Sequence, residues 1–482
     1  MNSKKNVAKK YIFESIYIVI FIIIAVFVGI HHEPWADEAQ SWLIARDNNV
    51  IEILDTIRYE GTPALWQFLL KFCQVLGLQY NQLYILTTTL TVIGIIFLHK
   101  NENVPIAFKI LLPYTYYIFF QYTIVARAYT LLFPILMMIL YIYPNKKEHL
   151  IKYGILLTLL MNISSHGFLL AGGFWFEFLV EEIQKLKKEK KEMPKNLKAF
   201  FITLTIIFIM VVIYVFPASD CSSMLFVLND WYTMLSGVLF TSSANIIINI
   251  VGVILFAIVF ARLINTDNII RTLSLSFFNI AWIVFVSGKL WHIGIIFLII
   301  LSIAILNDSL KADKILYALL MLSTVIQIYW NASAIVHDFE NPYSSGELVS
   351  EYLKELDIED KKVYAIDFAP VQVNPYFEEN IYENFEKSYY SWNINEAKRT
   401  MSKSFYKSNV ELDADVYVIA DYYYYDYTNG KKKQKTNSTY YEDKLREKLE
   451  ASGKYVKKEF KSVMYFKNLE HESTSLYVYS KK

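Results

Sequence analysis

Along most of this chain the apolar residues do not alternate with polar ones; they come in unbroken runs separated by short polar turns. A bilayer core about 30 Å thick takes roughly 17 to 25 residues of helix. Runs of about that size lie near 11–30, 83–99, 105–123, 128–144, 151–168, 169–184, 198–217, 245–263, 269–286, 289–306 and 313–331. The pattern predicts a polytopic α-helical membrane protein of about eleven transmembrane helices. One further stretch, "TPALWQFLLKFCQVLGL" at 62–78, is short for a span and carries Lys71. Whether it crosses decides the side on which everything after it lies.

After residue 331 the pattern changes. "NPYSSGELVSEYLKEL" reads as a capped amphipathic helix, "KKVYAIDF" and "ADVYVIADYYYY" read as strands, and "YYEDKLREKLEASG" reads as a helix that stops at glycine. This alternation predicts a small α/β domain over 332–482 beside a transmembrane domain over 1–331. The tyrosines at 422–425 fit a strand better than a sugar-stacking surface.

Composition agrees with the pattern. A chain of 482 residues with 55% hydrophobic and 16% aromatic content, and a mean hydropathy of +0.29, is too apolar for a soluble protein of this size. The formal net charge of +1 points to no nucleic-acid partner. "MNSKKNVAKK" ahead of the first run has the charge of a signal peptide, but no small-residue cleavage site follows and the run reaches spanning length. It is expected to be a retained first span. Cys73 and Cys221 have no metal-ligand spacing, so neither a disulfide framework nor a metal site is expected.

Lysine and arginine concentrate at the cytoplasmic ends of spans, and this sets the expected topology. If 62–78 lies flat in the interface and the amino terminus is inside, the inner segments include "PNKKEHLIK", "EEIQKLKKEKKEMPKNLK", "RLINTDNIIR" and "NDSLKADK". The long loop 218–244, which has no lysine or arginine, then falls outside. The chain is therefore expected in the plasma membrane as a multi-pass protein, with its amino terminus cytoplasmic and its carboxyl-terminal domain extracytoplasmic. The helix at 62–78 is expected to be interfacial, with Lys71 reaching toward headgroups.

The first outer loop holds the candidate chemistry. "GIHHEPWADEAQSWLIARDNN" (29–49) is on one reading an ordinary helix start, with proline at a first helical position and acids facing the positive end of the helix dipole. Three features point further. Asp37 and Glu38 would stand at the bilayer surface. Asp37 and Ser41, like Glu38 and Trp42, are four apart, so a carboxylate, a hydroxyl and an aromatic ring share one side. Other ionisable groups at span ends face the same side: Arg127 in "YTIVARAYTLL", His166 in "NISSHGFLL", and Lys289 with His292 in "SGKLWHIG". Trp42 and Arg46 are further candidates for lining the site, while His31 and His32 read as interface residues. Each cation also has an ordinary role as an interfacial anchor, and His166 as a packed histidine. A carboxylate on an outer loop with cations opposite suits group transfer from a lipid-phosphate donor: the carboxylate serves as general base and the cations stabilise the departing phosphate. No P-loop or dinucleotide fingerprint is present.

"EPWADEAQSWLIARD", "YEGTPALWQFLL", "ARAYTLL" and "SSHGFLL" resemble the GT-C superfamily of integral membrane glycosyltransferases, in the branch similar to protein mannosyltransferases and lipid A aminoarabinose transferases. The resemblance covers roughly 1–331 and is most specific in the first loop. It implies a GT-C-like fold with interfacial helices in that loop and Asp37 as catalytic aspartate; Glu38 beside it is the second catalytic candidate, helping to position the acceptor or the base. Arg127 and Tyr129 fall on an arginine-x-tyrosine element that contacts donor phosphate, a role Lys289 would share. The family's His-Pro-Pro-Leu-like element falls on Thr62, Pro63, Ala64 and Leu65, so its histidine has no counterpart here. The donor implied is a polyprenyl-phosphate-linked sugar, and the acceptor an extracytoplasmic glycan, lipid or protein of the cell envelope. No resident cofactor is implied, and a divalent cation is compatible with the chemistry. Two other readings stay open: a transporter or flippase of lipid-linked substrates, and a non-catalytic sensor with a glycan-binding outer domain.

Overall fold

The computed structural model describes residues 2–221, 231–240, 245–264, 269–286, 290–407, 412–426, 431–434, 439–466 and 469–482. The chain divides into two compact units. One comprises Met1–Ile30, Tyr84–Tyr214 and Phe226–Ala332; the other comprises His31–Leu83, Val215–Leu225 and Ser333–Lys482. The first polar loop thus belongs with the carboxyl-terminal segment.

Helix dominates the first unit. Among the described residues six helices are long and apolar enough to cross a membrane: Ile12–His31, Tyr80–Lys100, Ala128–Asn145, Lys195–Val215, Ile246–Ile264 and Lys314–Glu340. Shorter apolar helices cover Leu150–Met161, Ile269–Phe285 and Ile293–Leu306. The last of these is buried along Ile293–Ile305, as a helix that is apolar all round requires. It is the centre of this unit.

Two of the expected runs break where their sequences dictate. The run 105–123 is not one helix: Ile106–Leu111 ends in a tight turn at Leu112–Tyr114, which contains Pro113, and a π-helical stretch, Tyr117–Ile124, follows. There Gln121 N–H donates to Tyr116 O and Val125 N–H to Phe120 O, both at 3.0 Å, and Thr123 Oγ1 donates to Ile118 O at 2.7 Å. The boundary expected at 168/169 lies at 164/165 instead. Ser164 Oγ accepts from Gly167 N–H at 3.2 Å and so caps the helix Ser165–Glu189, which moves His166 into a first turn.

Helix α1 (Asn2–His31) belongs to the first unit as far as Ile30, and the second unit holds α2 (Ala36–Asp47), α3 (Val50–Glu60) and α4 (Leu65–Val75). Helix α4 covers the doubtful stretch. Eleven residues at about 1.5 Å each are far too short to span a bilayer. It buries Trp66, Gln67 and Leu70 and exposes Phe72, Val75 and Leu76. Lys71 does not reach outward as expected: its Nζ donates to Ala45 O at 3.1 Å, near the carboxyl end of α2, where unpaired carbonyls attract a cation.

The carboxyl-terminal segment forms the expected α/β fold. Strand β1 (Val363–Ile366) runs parallel to β2 (Val416–Asp426), β3 (Lys431–Gln434) pairs with β2, and β5 (Leu469–Lys481) lies antiparallel between β2 and β4 (Tyr455–Phe466). The helix Thr439–Ala451 covers one face, where Leu445 and Leu449 pack with Ile366, Tyr417, Ile419 and Tyr479. Its Glu442 is fully buried, and burial together with Asp367 at the end of β1 pushes that carboxyl up to about 10.

Candidate functional site

The acids of the first loop are sorted by the way α2 begins. Trp35 is in extended backbone and serves as the amino-terminal cap, so Pro34 stands one residue before the cap rather than at the first helical position. Glu38 Oε2 accepts from the Trp35 N–H at 3.0 Å, reaching back from the third helical position to satisfy a backbone donor of the first turn. This turns Glu38 inward to 1% exposure, while Asp37, one residue earlier, stays partly exposed. The two adjacent carboxylates therefore meet different surroundings.

Glu38 also meets a histidine. His32 is buried, not an interface residue: its Nδ1 lies 3.1 Å from Asp338 Oδ2 and its Nε2 3.6 Å from Glu38 Oε2. Burial alone would disfavour the imidazolium, but the Asp338 charge and hydrogen bond, followed by those of Glu38, outweigh it and push His32 up to about 10. A charged His32 is thus held between two carboxylates.

A further acid, Glu60, feels the charge of Asp37, and sequence reasoning missed it. Glu60 is the last residue of α3, which ends on Gly61 in the left-handed conformation, φ +68°, with its N–H on Ile57 O at 3.2 Å. Burial raises the Glu60 carboxyl, the hydrogen bond from Gln40 partly offsets this, and the Asp37 charge raises it again, to about 7. Gln40 Nε2 donates to Glu60 Oε1 at 2.8 Å and to Tyr390 O at 2.7 Å, while Gln40 Oε1 accepts from the Tyr390 N–H at 2.9 Å. One amide thereby fixes Glu60 and the strand of chain around Tyr390 at the same helix face. A sequence signal for Glu60 did exist: it stands directly before Gly61, a helix-stopping residue, where an acid opposes the helix dipole.

Trp42 and Arg46 build the frame around these acids. Trp42 is buried against Tyr80, ring centroids 5.6 Å apart, and its carbonyl accepts from Gln74 Nε2 at 3.1 Å. Arg46 donates to Asp47 Oδ1 at 2.6 Å and to Phe377 O at 2.7 Å. Asn48 Oδ1 accepts from Lys387 Nζ at 3.2 Å and from the Tyr389 hydroxyl at 3.1 Å. The segment 377–390 is stitched along α2 by these bonds.

The remaining candidates gather in the first unit. The π-helical stretch gives way to extended backbone at Val125 and Arg127, and a single turn, Ala128–Leu131, follows. The Arg127 guanidinium lies over the rings of Tyr129 and Trp291, 5.4 and 5.0 Å from their centroids. The Tyr129 hydroxyl and His292 Nε2 are 2.8 Å apart, the rings of His292 and His166 lie 4.8 Å apart, and His166 Nδ1 is 3.1 Å from Asn279 Oδ1. The Tyr122 hydroxyl donates to Trp291 O at 3.1 Å. Gly294 permits this packing, because a Cβ there would lie 2.5 Å from the Tyr122 hydroxyl. Four residues singled out one by one in the sequence, Arg127, Tyr129, His166 and His292, thus form one cluster. Lys289 lies outside the described residues.

No protein-family model, curated protein or solved structure matches the chain.

The chemistry open to each cluster follows from its donors and acceptors. Arg127, with a tyrosine hydroxyl and two imidazoles beside it, offers a planar cation and hydrogen-bonding groups suited to a phosphate. Glu60 is a carboxyl pushed up to about 7 by burial and in part by the Asp37 charge, and so can hold a proton near neutrality. Among the described residues no group of three or more His, Cys, Asp or Glu side chains could hold a metal ion.

Proposed function

We propose that this chain is a membrane glycosyltransferase that moves a monosaccharide from a polyprenyl-phosphate donor to an extracytoplasmic acceptor hydroxyl. The observation that carries this reading is the placing of Asp37, partly exposed, in the first turn of the short helix α2 that follows a membrane-length helix in the chain, with the Glu60 carboxyl at the end of α3 raised in part by the Asp37 charge. The acceptor oxygen attacks the anomeric carbon and its proton passes to Asp37. The bond from that carbon to the phosphate oxygen breaks, and polyprenyl phosphate leaves as an anion that needs no proton. The resemblance assigns Arg127 and Tyr129, with Lys289, to the donor phosphate, where they would stabilise the charge it gains. The cluster of Arg127, Tyr129 and His292 supports that role. In this reading the chain crosses the plasma membrane about eleven times, and the first loop and carboxyl-terminal domain face outward.

Purified protein in liposomes, given a polyprenyl-phosphate-linked sugar and an acceptor glycan, should release polyprenyl phosphate in step with glycosylated product. Movement of intact donor across the bilayer without release would replace the enzyme by a flippase.

Glu60 adds a pH signature. Its neutral form, present below about 7, donates a hydrogen bond toward the acceptor; the form that gains a second negative charge beside Asp37, above about 7, does not. Transfer should therefore decline between pH 6 and 8, and Glu60→Gln, which stays neutral, should flatten that decline while retaining activity. A profile unchanged by the substitution removes Glu60 from the mechanism.

A further inference from the structure

We infer that the groove between the helices Leu150–Met161 and Lys195–Val215 binds an anionic glycerophospholipid of the surrounding bilayer. A cavity of about 980 Å³ runs between these helices, walled by Ile155, Thr158 and Leu159 on one side and Phe200, Leu204 and Ile207 on the other. One end opens among Lys147, Glu148, His149, Lys152 and Asn196. The groove is apolar along its length and charged only at this mouth.

The two ends contribute different things. In a bilayer an acyl chain gains little by leaving other acyl chains for leucine and isoleucine, so the walls accept a chain without choosing a lipid. The choice falls to the mouth. Lys147 is paired with the buried Glu182, which fixes its position, and Lys152 is exposed one turn along. Asn196 stands in the first turn of Lys195–Val215, where backbone N–H groups and the positive end of the helix dipole favour an anion; Lys195 and Lys198 belong to the same turn. With Glu182 offsetting Lys147 and Glu148 offsetting Lys152, the excess positive charge at this end comes from Lys195 and Lys198. That balance suits a single phosphodiester with no compensating ammonium.

A second groove shows what the mouth adds. On the other side of the same helix, a cavity of about 780 Å³ is lined by Phe168, Trp175, Phe208, Ile209, Phe277 and their neighbours, none of them ionisable. It offers a chain a wall and a headgroup nothing. Only the Leu150–Met161 side pairs an apolar groove with cations at its end, so among these two only it can discriminate between headgroups.

The inference is independent of whether the chain transfers a sugar, and its test reads lipid retention. The full-length protein is exchanged into equal phosphatidylglycerol and phosphatidylcholine, stripped with detergent, and the lipid that stays bound is counted by native mass spectrometry. The wild type should retain phosphatidylglycerol over phosphatidylcholine, and Lys152→Gln should cut that preference about fivefold, the effect of one lysine near an anionic surface. Ala199→Trp, at an exposed position lining the groove, should remove the retained lipid without touching the charges. Equal retention of the two lipids by the wild type overturns the inference. So does a preference that survives Lys152→Gln, which decides even if Ala199→Trp fails to fold. Displacement of the lipid by millimolar glycerophosphate would assign the mouth to a soluble phosphate and overturn it as well.

Discussion

Asp37→Asn should lower turnover by roughly 10²- to 10⁴-fold, the range lost when a positioned general base is removed. The substitution keeps the shape of the side chain and takes away its capacity to accept a proton. The local fold should survive it. Ser41 Oγ bonds to the Asp37 backbone oxygen at 3.0 Å and not to the carboxylate, and the side chain is partly exposed. The measurement is product formation at saturating donor by purified, lipid-reconstituted protein, alongside its unfolding temperature. Turnover within about tenfold of wild type, with the fold intact, would take the proton-accepting role away from Asp37. Glu38→Gln should separate from this result, because Glu38 is tied to the helix cap and to His32, and its loss should first be felt in stability.

His32→Leu should destabilise the unit that contains it by about 3–5 kcal/mol, the usual cost of removing one partner from a buried ion pair. The substitution leaves Asp338 and Glu38 as buried carboxylates with no cation between them, and an alkyl group of similar size cannot replace the hydrogen bond to Asp338. The pH dependence has a definite sign. The folded-state value of about 10 lies above the ordinary histidine value of 6.5, so the charged His32 stabilises fully below pH 6.5. That contribution is lost as pH rises through 10. Thermal unfolding of the wild type in detergent should show a decline across this window, and His32→Leu should show a lower and flatter curve there. A variant within about 1 kcal/mol of wild type at pH 6 would mean that the ion group contributes no net stability.

Much of the fold can be read from local sequence. The strands β1 and β2, the helix Gly346–Glu355 and the helix Thr439–Ala451 all lie where period and caps place them. Where the chain departs from its local pattern, the cause is local too. A serine cap moved one helix boundary by four residues, and a proline with a wide turn broke the run 105–123. The long strands β4 and β5 have no clear sequence signal, because their lysines, glutamates and serines interrupt the alternation that marks a half-buried strand.

By itself the sequence determined the apolar helices, the change of character after residue 331 and the candidate residues Asp37, Arg127, Tyr129, His166 and His292, since all of these rest on residue type and spacing over one or two dozen positions. Tertiary structure alone decided what those residues face. His32 finds Asp338 at a separation of 306 residues, Gln40 finds Tyr390 at 350, and Tyr129 finds His292 at 163. No periodicity connects such partners. What a carboxyl meets depends on burial and on charges brought from distant segments, and so Glu38 turned inward to His32 while Asp37, one residue earlier, stayed partly exposed.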